Sequence, residues 1–237
     1  MKMLPAGGRV AYVVGPGMGQ VGYAISEMPD DPDGQVETTI GLMRQYVTED
    51  LEDQRLQNDV MLARKTGDPI TDTWCYLRRG GDRGMEFVRD EVTASPFAEY
   101  EYLRPGMWRP FVESLARPEL LAKTSNPHGD CDCFCGYGAA HLLLNAVATS
   151  FCTVATDARD PTIYSHVYLV TYPSSGLYAG ERVPLDLSHG PYPGWETQNK
   201  YGKRREWPLQ MGNAGVVVLA AAAAIGAWLC YRRGILR

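Results

Sequence analysis

Residues 129–187 carry one helical pattern followed by three strand-like runs, and this succession limits the fold more than any other feature of the chain. Asp130 suits an N-cap, and Tyr137, Ala140/His141, Leu144 and Ala148 recur after it at helical spacing. Residues 151–156, 164–170 and 182–187 read as strands. Three strands packed on this helix give an α+β domain, with His166 brought beside Cys131 and Asp186 behind the imidazole. Cys131 falls in the first helical turn, where unpaired amides and the positive end of the macrodipole favour a thiolate. Asp130 and Asp132 oppose that effect, so the thiol needs a base. His166 as base and Asp186 as its orienter complete a nucleophile, base and orienter set for acyl transfer. Spacing alone does not separate this trio from other sets of Cys, His and Asp.

The wording of the sequence around these residues is more specific. GDCDCF at 129–134, YSHVYLV at 164–170, LDLSHG at 185–190 and PGWE at 193–196 together resemble the transglutaminase-like cysteine hydrolase superfamily. More narrowly they resemble its compact branch from tailed phages and prophages, which carries GDCD at a helix start, SHVY on a strand and LD-x-(T/S)-HG on the next. TIGLMRQYV at 39–47, DPIT at 68–71 and FVRDEVT at 87–93 are similar to the helical lead-in of that branch, so the likeness covers about residues 36–196. The resemblance implies a papain-like core in which the helix bearing the cysteine packs on an antiparallel sheet. It implies Cys131 as nucleophile, His166 as general base and then acid, and Asp186 as the orienter of His166. The substrate would be an amide of a protein or peptide. Water resolving the acyl-enzyme gives a peptidase or amidase, and an amine gives a transglutaminase. No cofactor and no metal are implied. The backbone amide of Cys131 is a candidate oxyanion donor by helix-end geometry.

Two thiols depart from the branch's pattern: Cys133 stands where an acidic residue is common, and Cys135 lies one turn beyond Cys131. They raise a zinc alternative through His128, Cys131, Cys133, Cys135 and His141. C-x-C-x-C at one helix start argues against it, because structural sites draw separate ligand pairs. A redox pair, with Cys135 resolving an oxidised Cys131, is a further alternative. His189 reads as a loop-fixing hydrogen-bonder, His128 and His141 as surface or core fillers, and Trp195 as packing over the edge of the site.

The remainder of the chain divides by composition. Residues 1–35 form a Gly/Pro-rich segment with a strand-like run at 9–14, and Gly17, Gly19 and Gly22 fit GxGxxG. The acidic, Pro-containing turn at 28–34 follows where a dinucleotide site requires a helix, so a glycine loop is expected. Residues 36–128 form the lead-in. Val36, Ile40, Met43 and Val47 share one helical face, and Leu56, Val60 and Ala63 mark a second helix. Asp68-Pro69 opens a third, with Ile70, Trp74 and Leu77 inward. Residues 80–106 read as loop around a strand at 85–88, and 110–122 as a helix interrupted at Pro118. Residues 129–198 are the catalytic core, 199–210 a basic linker and 211–237 a C-terminal hydrophobic helix of transmembrane type.

Residues 211–231 contain no charge, and about 20 apolar residues are needed to span a bilayer core. This points to a C-terminal membrane anchor or packing in a virion, after synthesis in the cytoplasm without a signal peptide. The flanks are basic on both sides, so orientation is not set. The 23 basic residues fall to 20 when Arg232, Arg233 and Arg237 are set aside, against all 28 acidic ones. No positive field recommends nucleic acid. Two expectations follow: a transglutaminase-like cysteine hydrolase or acyltransferase, or a virion or membrane-associated structural protein that keeps the fold without significant catalysis.

Overall fold

The computed structural model describes residues 10–12, 25–27, 29, 31–88, 112–158, 161–198 and 201–209, with side chains described outside the strands at 10–12, 25–27 and 112–114. The GxGxxG glycines and the expected helix at 211–237 lie outside the described residues. Among the described residues, no helix is long and apolar enough to cross a membrane.

The architecture is α+β with an antiparallel main sheet. Three helices lead in. Helix α1 (Pro32–Asp50) starts earlier than expected, because Asp31 accepts the Gly34 amide at 2.6 Å and Pro32 takes the first helical position. The residues read as a helix-breaking turn are therefore a helix start, where proline's missing N–H costs nothing. Helix α2 (Gln54–Ala63) is capped by Asp53, and α3 (Pro69–Leu77) by Asp68, which accepts the Thr71 amide at 2.9 Å. Ile40, Met43, Val47, Leu56, Ala63, Ile70 and Leu77 are buried in one core. Trp74 is only half-buried, with the Arg78 guanidinium 4.6 Å from its ring centre.

The interrupted helix expected at 110–122 is two elements. Val112–Ser114 forms a strand, and a short helix, α4, spans Pro118–Lys123 with Pro118 at its start. Arg117 and the Glu119 amide both bind the carboxylate of Asp50, tying α4 to the end of α1. With strands Val10–Tyr12 (β1) and Ile25–Glu27 (β2), Val112–Ser114 (β4) makes a small sheet in the order β2-β1-β4. Glu86–Phe87 (β3) pairs in parallel with His128–Gly129 (β5).

Helix α5 (Cys131–Leu144) lies at the centre, with its interior positions buried on every side, as expected of a helix packed between other helices and a sheet. It ends earlier than the periodicity suggests. Asn145 closes it, Ala146 takes a left-handed φ of 62°, and β6 (Ala148–Val154) begins immediately after. Strand β6 pairs with β9 (Arg204–Pro208) and with β7 (His166–Tyr172), which pairs with β8 (Val183–Leu185), giving the order β8-β7-β6-β9 with every pairing antiparallel. Phe151, Val167, Leu169, Leu185 and Trp207 join the α5 core, while Cys152, Val154, Tyr168 and Val170 form a second cluster on alternate positions. Strand β9 (Arg204–Pro208) falls inside the segment expected as a basic linker. It is an edge strand whose Trp207 donates from its indole N–H to Thr153 Oγ1 at 2.9 Å.

Candidate active site

The three residues singled out in the sequence lie at the ends of three neighbouring elements. Cys131 is the first residue of α5, His166 the first of β7, and Asp186 the residue after β8. Cys131 is half-buried, the His166 side chain is 9% exposed and that of Asp186 fully buried. None of the five described cysteines is in a disulfide.

His166 and Asp186 are joined directly. His166 Nε2 lies 2.7 Å from Asp186 Oδ2. An ionised carboxylate only accepts, so Nε2 carries a proton, and in the neutral imidazole the lone pair is on Nδ1. Asp186 is held by three further donors. Thr197 Oγ1 donates to Oδ2 at 2.6 Å, Ser188 Oγ to Oδ1 at 3.0 Å, and the His189 amide to Oδ1 at 2.9 Å. Burial alone would raise this carboxyl. The hydrogen bond and charge of His166, then Thr197 and the His189 amide, outweigh it and bring the pKa down to about 2. Asp186 is therefore a fixed negative charge at neutral pH.

The relation of Cys131 to this pair follows from how α5 lies on β7. Cys135 Sγ donates to the Val167 carbonyl at 3.4 Å, and a Cβ at Gly138 would lie 2.8 Å from Leu169 Cδ1. Helix and strand thus advance in the same direction. Cys131 shares the face of Cys135 and sits one turn, ~5.4 Å, nearer the helix start. With a strand rise of ~3.3 Å per residue, that turn corresponds to about two residues, from Val167 back to Ser165, which puts Cys131 near the end of the sheet at which β7 begins.

The surroundings fix both imidazoles and explain the extra thiols. Tyr168 stacks on His166 at 6.2 Å between ring centres and 26° between planes, and its hydroxyl donates to Glu196 at 2.7 Å. His189 secures the loop, as expected, through its amide and through Nδ1, 2.8 Å from Ser188 Oγ. Its ring also meets that of His166 edge-on at 5.0 Å. Cys133 accepts from the Ala116 amide at 3.4 Å. Burial pushes the Cys135 thiol well above its ordinary range, which suppresses the thiolate a resolving cysteine needs.

The zinc alternative is not assembled among the described residues. Cys133 and Cys135 point to different backbone groups, and His128 is exposed beside the Asn126 carbonyl. His141 is fully buried against Asp59, where Tyr76, Tyr137 and Arg83 also converge. His166, Asp186 and His189 do bring ligand atoms within 4.8 Å of one another. Four protein donors already occupy the two oxygens of Asp186, so its lone pairs are spent on hydrogen bonds rather than left for a cation.

Thr197, Ser188 and Tyr168 were not assigned roles from the sequence. Ser188 lies within LDLSHG and Tyr168 within SHVY, so motif position could have suggested them. Thr197 returns from a loop 11 residues after Asp186, and no spacing rule marks it. No protein-family model, no curated protein and no solved structure matches the chain, so the geometry of these side chains and the motifs around them carry the functional argument.

Proposed function

We propose that the protein is a transglutaminase-like cysteine hydrolase or acyltransferase of the compact phage or prophage type, acting on amides of proteins or peptides. The observation that carries this reading is the 2.7 Å bond from His166 Nε2 to an Asp186 carboxylate held by three other donors, at the end of the strand on which the Cys131 helix packs. The GDCD, SHVY and LDLSHG motifs support it independently.

In this mechanism His166 Nδ1 takes the proton of the Cys131 thiol, and Asp186 stabilises the resulting imidazolium. The thiolate attacks the amide carbonyl carbon and the π electrons move to oxygen, beside the N-terminus of α5 and the positive end of its dipole. Collapse re-forms the carbonyl and breaks the C–N bond, and the proton on Nδ1 leaves with the amine. The thioester left on Cys131 is then attacked by water, deprotonated by the same Nδ1, to give a carboxylate. Attack by an amine gives a new amide instead. Thr197 and Ser188 position Asp186, and through it the proton on Nε2.

Iodoacetamide at neutral pH, with labelled sites read by peptide mass spectrometry, tests the pair. Cys131 should label ahead of the other five cysteines, and His166→Ala should slow it at least tenfold. Equal labelling in both proteins would contradict the enzyme and leave the structural-protein reading. Incubation with denatured casein, with and without a primary amine, separates hydrolysis from transamidation by new amino termini or amine incorporation. For residues 211–237 we propose a membrane anchor or an assembly contact, on the uncharged 21-residue run alone.

A further inference from the structure

Arg79, Phe87, His189 and His166 form a continuous row along one side of the candidate site. The Arg79 guanidinium carbon lies 6.0 Å from the Phe87 ring centre, Phe87 meets His189 edge-on at 5.0 Å, and His189 meets His166 at 5.0 Å. Main-chain bonds hold the row in place. The Arg79 amide donates to the Leu187 carbonyl at 2.9 Å, and Phe87 pairs with Gly129, two residues before Cys131. Arg79 and His189 are exposed and Phe87 is half-buried.

Arg79 is one of several arginines whose charge no carboxylate of the described residues balances, and it stands at the end of this row. Arg83, Arg117, Arg182, Arg204 and Arg205 are each committed to a carboxylate. Arg79 has no carboxylate partner among the described residues. The nearby Asp82 is taken by Lys65, and strand alternation directs Glu86 to the side opposite Phe87. An exposed guanidinium backed by an aromatic ring, with its donors uncommitted, is suited to bidentate capture of a carboxylate.

We propose that this row is a substrate subsite that takes a peptide carrying an acidic side chain, with the carboxylate on Arg79 and the intervening chain along Phe87 and His189. The inference rests on the cysteine-hydrolase reading of Cys131. One guanidinium-to-ring step and two ring-to-ring steps separate Arg79 from His166, so an extended chain rising ~3.3 Å per residue spans the row with no more than about five residues. Arg79 is thus a specificity residue, acting on the carboxylate and not on the reacting atoms.

Five-residue peptidyl vinyl sulfones, with Asp or its neutral isostere Asn placed at each position in turn, test this on the full chain at low salt. The readout is the Asp-to-Asn ratio of labelling rates at Cys131, which cancels any change in the thiol itself. At one position or more the ratio should reach about tenfold, the scale of a charge-assisted pair. Arg79→Gln should reduce it to within about twofold, Arg79→Lys should retain part of it, and Arg55→Gln on α2 should leave it intact. A ratio near one at every position, or a preference that survives Arg79→Gln, overturns the subsite while His166-dependent labelling leaves the enzyme standing. Labelling that does not depend on His166 removes both.

Discussion

Asp186 keeps a full charge in a buried position because four donors converge on its two oxygens, and that makes it a structural residue as well as a proposed catalytic one. Its folded-state pKa of about 2 lies below the ordinary ~3.9 of an unfolded aspartate. A depressed carboxylate stabilises the fold fully above the unfolded value, and the contribution is lost as the pH falls from about 4 toward about 2. The shift corresponds to about 2–3 kcal/mol. Urea unfolding at pH 6 and pH 2 should therefore show the gap between wild type and Asp186→Asn narrowing by about that amount in acid, and a constant gap would contradict it. Asp186→Asn should also slow Cys131 alkylation at neutral pH by tenfold or more, since an amide neither fixes the Nε2 proton nor stabilises the imidazolium. Thr197→Val removes one donor of the four and should cost about 1 kcal/mol with a smaller loss of thiol reactivity.

Helix α5 carries Cys131 at its first position, and its seat on the sheet includes a close approach at Gly138. A Cβ on Gly138 would press into Leu187 Cδ1 and lie 2.8 Å from Leu169 Cδ1, and Leu187 is the neighbour of Asp186. Gly41, on the exposed side of α1, has nothing within 4 Å of such a Cβ. Alanine normally favours a helix interior by ~1 kcal/mol over glycine. Gly41→Ala should thus raise the melting temperature, whereas Gly138→Ala should lower it, since overpacking costs ~1–3 kcal/mol, and should slow Cys131 alkylation as well. A Gly138→Ala protein as stable as Gly41→Ala would show that α5 does not need the close approach. The elements that position the site were readable where local chemistry is strong. Asp68-Pro69 announced α3, and the GDCD start announced α5. Proline misled twice, at 28–34 and at Pro118, because the same ring that breaks a helix interior is favoured at its first turn. Strand β9 was hidden by its own charges: Arg204, Arg205 and Glu206 describe an edge strand's outward groups as well as they describe a linker.

The chain as a whole joins an acidic portion to a run without charge near its C-terminus. All 28 acidic residues lie before residue 211, and 211–231 carry no charge. Deleting 211–237 should abolish carbonate-resistant membrane association, and recovery of the intact protein in lipid-free particles would instead assign the run to assembly packing. Order along the chain let the sequence name Cys131, His166 and Asp186, since the motifs fall at the ends of a helix and two strands. The rest of the site was not legible because it is built by long returns. Thr197 comes back from a loop, and Phe87 reaches the site through the β3–β5 pairing. The central claim is that His166, held by Asp186, activates Cys131, and the pH dependence of Cys131 alkylation tests it most directly. The wild type should reach half its maximal rate at least one pH unit below the ~8.5 of an ordinary thiol, and His166→Ala should return it to that value. Identical titrations near ~8.5 in both proteins would contradict the account.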